Sequence, residues 1–311
     1  MGTKMSHRMT KILGLLLVVT FSLKTAGAPQ AAGHPVQVVL LAGQSNMGGA
    51  GNYEELTSSV IERVQKVSSR VNVSLGGRKP QPLSYEVSKF HQDKYGIDKK
   101  FGPELFVGLT LAEKYPEREY LLIKTVQGGT SLYGAWNSQW RAEKAKRVER
   151  GSVKQNLQLY TLHLTNVRSN LARLEQDARL YHIIGMLWMQ GENDAAKEVA
   201  ARSYKDNLLR LINGYRSELE VSTMPFIIGQ INSTYGRYPS GPDVVRAAMA
   251  DVTNMLPNTA LISTLTDSSW HDYPKHSDNV HYNTLGQTRL GIAFAETLNS
   301  LTNPQLDTSN K

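Results

Sequence analysis

Ser45 stands just beyond the apolar run Val38-Val39-Leu40-Leu41-Ala42 and Gly43, while Asp278 and His281, three positions apart, lie far along the chain. An alcohol, an imidazole and a carboxylate are the set from which a serine nucleophile is made. The imidazole takes the hydroxyl proton and the carboxylate fixes the imidazole. At a spacing of three, on a turn entering a helix, Asp278 can reach Nδ1 of His281 and leave Nε2 for Ser45. The chain order Ser…Asp…His is one of several that build this geometry. Ser45 alone is weak evidence, because a serine at a strand end caps the following helix far more often than it attacks a carbonyl.

Two other groupings invite chemistry. Glu192 and Asp194 could act as paired carboxylates on a glycosidic bond. Carboxylates one residue apart in a loop more often hold that loop through backbone hydrogen bonds, and this is the expectation. His271, Asp272, His276 and Asp278 crowd one segment and could ligate a metal. The segment has no helical His-x-x-x-His pair with an intervening Glu, and its spacings match no zinc signature. The expectation is no metal and no cofactor. The chain has no cysteine, so neither a thiol nucleophile nor a disulfide is available.

Four stretches carry a resemblance. Gly43-Gln44-Ser45-Asn46-Met47, Gly128-Gly129-Thr130-Ser131, Gln190-Gly191-Glu192-Asn193-Asp194 and the segment from Asp278 to His281 resemble, in that order, the blocks of the SGNH (GDSL-like) hydrolases. Within them the likeness is to the sialate O-acetylesterase and acetylxylan-esterase branch. The resemblance implies a three-layer α/β/α sandwich around a mostly parallel, five-stranded sheet. It implies a serine acetylesterase acting on an acetylated carbohydrate, with Ser45 as nucleophile, His281 as general base and acid, and Asp278 orienting the imidazole. The backbone N–H groups of Ser45 and Gly129 would form the oxyanion hole. A third donor would come from Gln190 or from Asn193, which stands where the branch commonly has serine; the sequence leaves the two open.

Gly128 and Gly129 also have a mechanical rationale, since a backbone N–H approaches a substrate closely only where no Cβ intervenes. A simple tight turn after a strand explains them equally well. Tyr133, Trp136 and Trp140 follow this block and are candidates for an apolar platform under a sugar ring. Gln44 and Glu192, inside their blocks, are further candidates for substrate contact. Two rival functions stay open: an esterase of lipid or aryl esters, and a non-catalytic glycan-binding protein on the same scaffold.

The elements that must position these residues alternate strand and helix, which argues for a parallel α/β sheet covered on both faces. Strands are expected at 36–42, 121–126, 183–188, 226–231 and 260–262, with 71–75 as a possible addition. Helices are expected at 103–114, 155–175, 200–219, 242–255 and 284–298, the last capped by Asn283. The stretch 52–102 shows no long period.

Residues 1–32 read as an export signal: Lys4, Arg8 and Lys11, then an apolar run over 12–23, then small residues. An uncleaved anchor is the alternative, although the run falls short of the ~20 residues of a comfortable span. Cleavage would lower the formal charge from +8 to +4, because the segment holds four basic and no acidic residues. The remaining charge does not argue for nucleic acid, which favours a basic stripe on one face. The basic run 141–150 is interrupted by Glu143 and Glu149 and reads as a solvated insertion. Residues 33–311 are expected to form one secreted or periplasmic domain; nothing in the sequence sets its oligomeric state.

Overall fold

Val38, Val39, Leu40, Leu41 and Ala42 are all fully buried, so consecutive side chains, which point to opposite faces of a strand, are covered on both. This is the signature of a central parallel strand between helical layers. The computed structural model describes residues 1–2, 34–233, 235–267, 269 and 271–303. One compact unit begins at His34. The expected export signal lies outside the described residues, apart from Met1 and Gly2.

The strands are β1 (Val36–Gly43), β2 (Gly51–Asn52), β3 (Val71–Leu75), β4 (Gln81–Pro82), β5 (Glu86–Val87), β6 (Lys99–Phe101), β7 (Tyr120–Val126), β8 (Tyr181–Met189), β9 (Phe226–Gly229) and β10 (Thr259–Ile262). Seven of them form the main sheet in the order β10-β9-β8-β1-β7-β3-β4. Its pairings are parallel except β3 with β4. Short β2, β6 and β5 form a separate antiparallel sheet. The main sheet therefore has two strands beyond the expected five. β3 pairs in full register with β7, and β4 is a two-residue edge too short to leave a periodic signal.

The helices are α1 (Ser45–Gly48), α2 (Ser58–Val67), α3 (Lys89–Tyr95), α4 (Pro103–Lys114), α5 (Ala142–Val148), α6 (Gly151–Gln155), α7 (Leu159–Gln176), α8 (Glu192–Ala195), α9 (Glu198–Arg202), α10 (Tyr204–Glu218), α11 (Gly241–Met255) and α12 (Thr284–Thr302). α2 and α12 pack against α4, while α10 packs against α7 and α11. These two groups are the outer layers of the sandwich. α4 starts with Pro103 at its first position, where the missing N–H costs nothing. α12 starts where Asn283 caps it, its side chain accepting from Gly286 N at 3.1 Å. The helix expected over 200–219 is divided at Ser203 into α9 and α10.

The chain runs from β1 to β3, returns to β7 beside β1, then crosses to β8 on the other side of β1. That reversal opens a crevice at the carboxyl ends of β1, β7 and β8, where sheets of this kind bind ligands.

Candidate active site

Strand register brings three of the four blocks together. Gly43 is paired with Val126 on one side and Met189 on the other. The loops holding Ser45, Gly128–Gly129 and Gln190–Asn193 therefore leave the sheet side by side at the same height. Gly43 is at φ 154°, and a Cβ there would sit 2.0 Å from the Met189 carbonyl oxygen. Only glycine lets β1 and β8 meet at this point.

Ser45 opens the single turn α1 and is tied to the chain on both sides. Asn46 is the central fastener: its Nδ2 donates to Glu192 Oε1 at 2.7 Å and to the Val280 carbonyl at 3.1 Å, and its Oδ1 accepts from Tyr282 N at 3.1 Å. One side chain thus joins the serine turn to the third and fourth blocks. Behind the turn, the Gly48 carbonyl accepts from Lys100 Nζ at 3.0 Å and from Lys124 Nζ at 3.2 Å. Both ammonium groups are answered by carboxylates, Lys100 by Glu86 at 2.8 Å and Lys124 by Glu104 at 2.5 Å. Burial pulls the Lys124 pKa down, against the Glu104 charge that supports it.

His281 Nδ1 lies 2.7 Å from Asp278 Oδ2. The same oxygen accepts from Tyr95 at 2.8 Å and Lys94 at 3.0 Å, both on α3, while Oδ1 accepts from the backbone N–H groups of Val280 and His281, each at 3.0 Å. Partial burial pushes the Asp278 carboxyl up, but these donors outweigh it and hold the group well below the usual carboxylate range. Asp278 is therefore ionised across the neutral range. His276 belongs to the scaffold of this loop: Nε2 is 2.8 Å from the Ala50 carbonyl and the ring stacks on Tyr95 at 4.4 Å. Asp272 likewise accepts from Leu265 N and Tyr273 N.

The glycine loop is held by two buried carboxylates. Asp194 accepts from Leu132 N, Tyr133 N and Gln190 Nε2 at 2.8, 3.0 and 2.6 Å. Burial pushes its carboxyl up to about 7 against these donors. Glu149, from the basic insertion, accepts from Ser131 N, Ser131 Oγ and Ala135 N. The insertion is thus a buttress for this loop as well as a solvated surface, and beyond it Lys154 Nζ on α6 donates to the Gly129 carbonyl at 3.2 Å. Gly129 is at φ 63°, in the left-handed region. Among the described residues, the backbone N–H groups of Ser45 and Gly129 donate to no protein acceptor.

Gln190 and Asn193 are placed differently. Gln190 Nε2 is engaged by Asp194, by the Thr130 carbonyl at 3.0 Å and by Gln44 Oε1 at 3.2 Å. Asn193 Nδ2 is buried and has no partner among the described residues. Gln44 Oε1 also accepts from Asn193 N at 3.4 Å, so Gln44 is bound into the third block.

Ser45, Gln44, Gly128, Gly129, Glu192 and His281 line one cavity of about 800 Å³, within the usual range for small-molecule sites. The expected aromatic platform is not on its wall. Trp136 is fully buried, edge-on to Trp188 at 5.2 Å; Tyr133 packs with Val148 and Ala200; and Trp140 has a buried Nε1 with no partner among the described residues. Because Asp194 and Glu149 draw the loop inward, its aromatic side chains enter the core. Among the described residues, the rings that reach the cavity are those of Phe90, His91, Tyr95, Tyr235 and His281.

Residues 35–300 match the family described as carbohydrate esterase, sialic acid-specific acetylesterase. The chain belongs to that family. This carbohydrate esterase, a carboxylic-ester hydrolase, is 27% identical over 274 residues to a "Probable carbohydrate esterase" of Arabidopsis thaliana, covering 84% of this chain and 90% of the relative. An X-ray structure of an Arabidopsis thaliana protein aligns with TM-score 0.60 at 22% identity, over 86% of the esterase and 99% of that chain. NanS gives 0.57 at 17%, over 86% and 97%. A carbohydrate acetylesterase from Xanthomonas citri gives 0.56 at 16%, over 86% of the esterase and 57% of that chain. At these identities the structural likenesses speak for the fold, which is that of the SGNH-type esterases.

Sequence reasoning about the esterase missed Asn46, Lys94, Tyr95, Lys100 and Lys124. Asn46 stood inside a recognised block and carried a signal of sorts: a buried amide needs partners. Lys94, Tyr95 and Lys100 lie in the stretch 52–102, where nothing local marks them, whereas Lys124 lies inside the expected strand 121–126, where a lysine within an apolar run was the signal to follow.

Proposed function

We propose that the chain is an exported carbohydrate O-acetylesterase working through Ser45, His281 and Asp278. The observation that carries this reading is that Ser45 and His281 line one cavity while the far side of the His281 ring is bound to Asp278 at 2.7 Å. Nε2 of His281 is then the nitrogen left to take the Ser45 proton. Ser45 Oγ attacks the ester carbonyl, and the developing oxyanion is met by the N–H groups of Ser45 and Gly129 and by the Asn193 amide, which has no partner among the described residues. A preorganised donor of this kind is worth roughly 3–4 kcal/mol of barrier.

The imidazolium passes its proton to the departing sugar hydroxyl, leaving acetyl on Ser45. Water, deprotonated by the same imidazole, releases acetate. The role of Asp278 is to hold the tautomer and balance the imidazolium charge. Residues 1–32 direct export and the remainder is the catalytic domain. Among the described residues no helix is long and apolar enough to cross a membrane.

The test is acetate release from acetylated xylan, pectin and O-acetyl sialic acid by the wild type and Ser45→Ala. Loss of release by about 10³-fold or more in the variant is expected. Equal release would refute the nucleophile, and turnover of a lipid ester with none of the sugars would refute the substrate class.

A further inference from the structure

A second recess, of about 660 Å³, adjoins the cavity that holds Ser45, and Leu75, Arg78, Glu86 and Lys100 line both. The proposed chemistry gives it no task, since an acetyl group and the ring that carries it need only the space around Ser45. The partition between the two is a polar ridge. Arg78 and Glu86 face each other across 3.6 Å, with the arginine side chain 70% exposed. Beyond the ridge the wall is made by Gln81, Ser84 and Tyr85.

The chemistry of that wall is specific enough to name a ligand class. Amide and hydroxyl groups offer donors and acceptors together, matching the hydroxyls of a sugar. Tyr85 adds a ring that is 40% exposed, backed by Tyr53 at 5.1 Å between centroids and by Lys99 Nζ at 5.4 Å. A steadied, part-exposed aromatic is the surface on which the apolar face of a pyranose packs. The charged lining is three cations, Arg78, Lys79 and Lys100, against two carboxylates, Glu86 and Glu104, and Glu86 pairs with both Arg78 and Lys100. A phosphate site would show a larger excess of cations.

We propose that this recess is a second saccharide subsite, so that the esterase acts on acetylated oligosaccharide or polysaccharide chains in preference to free monosaccharides. The inference rests on the carbohydrate-ester reading and sets the size of its substrate. A ring seated around Ser45 continues over the Arg78–Glu86 ridge to a neighbour held by Gln81, Ser84 and Tyr85.

The experiment compares kcat/KM on acetylated cellotriose, glucose pentaacetate and 4-nitrophenyl acetate for the wild type, Tyr85→Ala and Ser84→Trp. Both positions are exposed, so the fold is not at stake; the first variant removes the ring and the second fills the recess. The wild type is expected to prefer the trisaccharide to the monosaccharide by about tenfold, which one or two net hydrogen bonds supply. Each variant should erase most of that preference through KM while leaving the monosaccharide and the small ester unchanged. A wild type without the preference, or variants that slow all three substrates alike, would overturn the subsite. Failure of the parent reading looks different: 4-nitrophenyl acetate is cleaved and neither sugar ester is, and the subsite then falls with it.

Discussion

Asn193 and Gln190 end in the same amide, and their surroundings assign them opposite work. The Gln190 donors are consumed by Asp194, Thr130 and Gln44, whereas the buried Asn193 donor has no partner among the described residues. Asn193→Ala is therefore expected to lower kcat by about 10²–10³-fold with little change in melting temperature. Gln190→Ala should lose about 1–3 kcal/mol of unfolding free energy, because it strands buried acceptors. Kinetics and denaturant titration on both variants check this, and the converse result would exchange the roles. The proposed roles of Ser45, Asp278 and His281 could be read at this scale because such chemistry is written in side-chain type and short spacing. That of Asn46 could not, since its partners Glu192 and Tyr282 are 146 and 236 positions away, and a hydrogen bond of that span leaves no local pattern. The aromatic platform failed for a related reason: the direction of Tyr133 and Trp136 is set by Asp194 and Glu149, which lie outside their own stretch.

Long, strongly patterned elements were legible, and α4 spans the expected 103–114. The excursion over 52–102 was legible only at β3: α2 and α3 were missed, and β2, β4 and β5 have two residues each and β6 three, too few to show a period. Its position is secured instead by bonds to the rest of the chain, such as Lys100 Nζ to the Gly48 carbonyl and Lys94 to Asp278. Packing between elements carries two predictions. Lys124 on β7 and Glu104 on α4 form a pair with side chains only 1% and 3% exposed. Lys124→Met leaves Glu104 charged and buried and should cost about 3–5 kcal/mol, while adding Glu104→Leu should recover most of the loss; chemical denaturation of the single and double variants measures both. His163 on α7 is fully buried, 2.8 Å from the Tyr215 hydroxyl, and burial lowers its pKa from 6.5 to about 4. The fold keeps this ring neutral while the unfolded chain protonates it. Stability is therefore fully present above 6.5 and drains away as pH falls through that value toward 4, by about 3 kcal/mol in all. His163→Gln, which can still bond Tyr215, should flatten this acid slope in urea titrations at about pH 7 and about pH 4; an unchanged slope would place the acid sensitivity elsewhere.

The molecule as a whole was legible as an α/β sandwich, since alternating strand and helix patterns and four ordered blocks leave few other topologies. Of the two strands beyond five, β3 is the possible addition at 71–75, and β4 escaped because a two-residue edge leaves no pattern of its own. One compact unit begins at His34, so a chain of residues 34–311 is expected to keep the kcat/KM and melting temperature of the full-length protein. A marked drop in either would give the preceding segment a part in the mature fold. The grip of Lys100 and Lys124 on the Gly48 carbonyl, and of Asn46 on Val280 and Tyr282, bears on protein engineering. A designer who transplants the pentapeptide Gly-Gln-Ser-Asn-Met into a foreign scaffold carries over the letters of the proposed nucleophile without the anchorage that aims it. The smallest portable unit is the turn together with these remote lysines and the closing histidine loop.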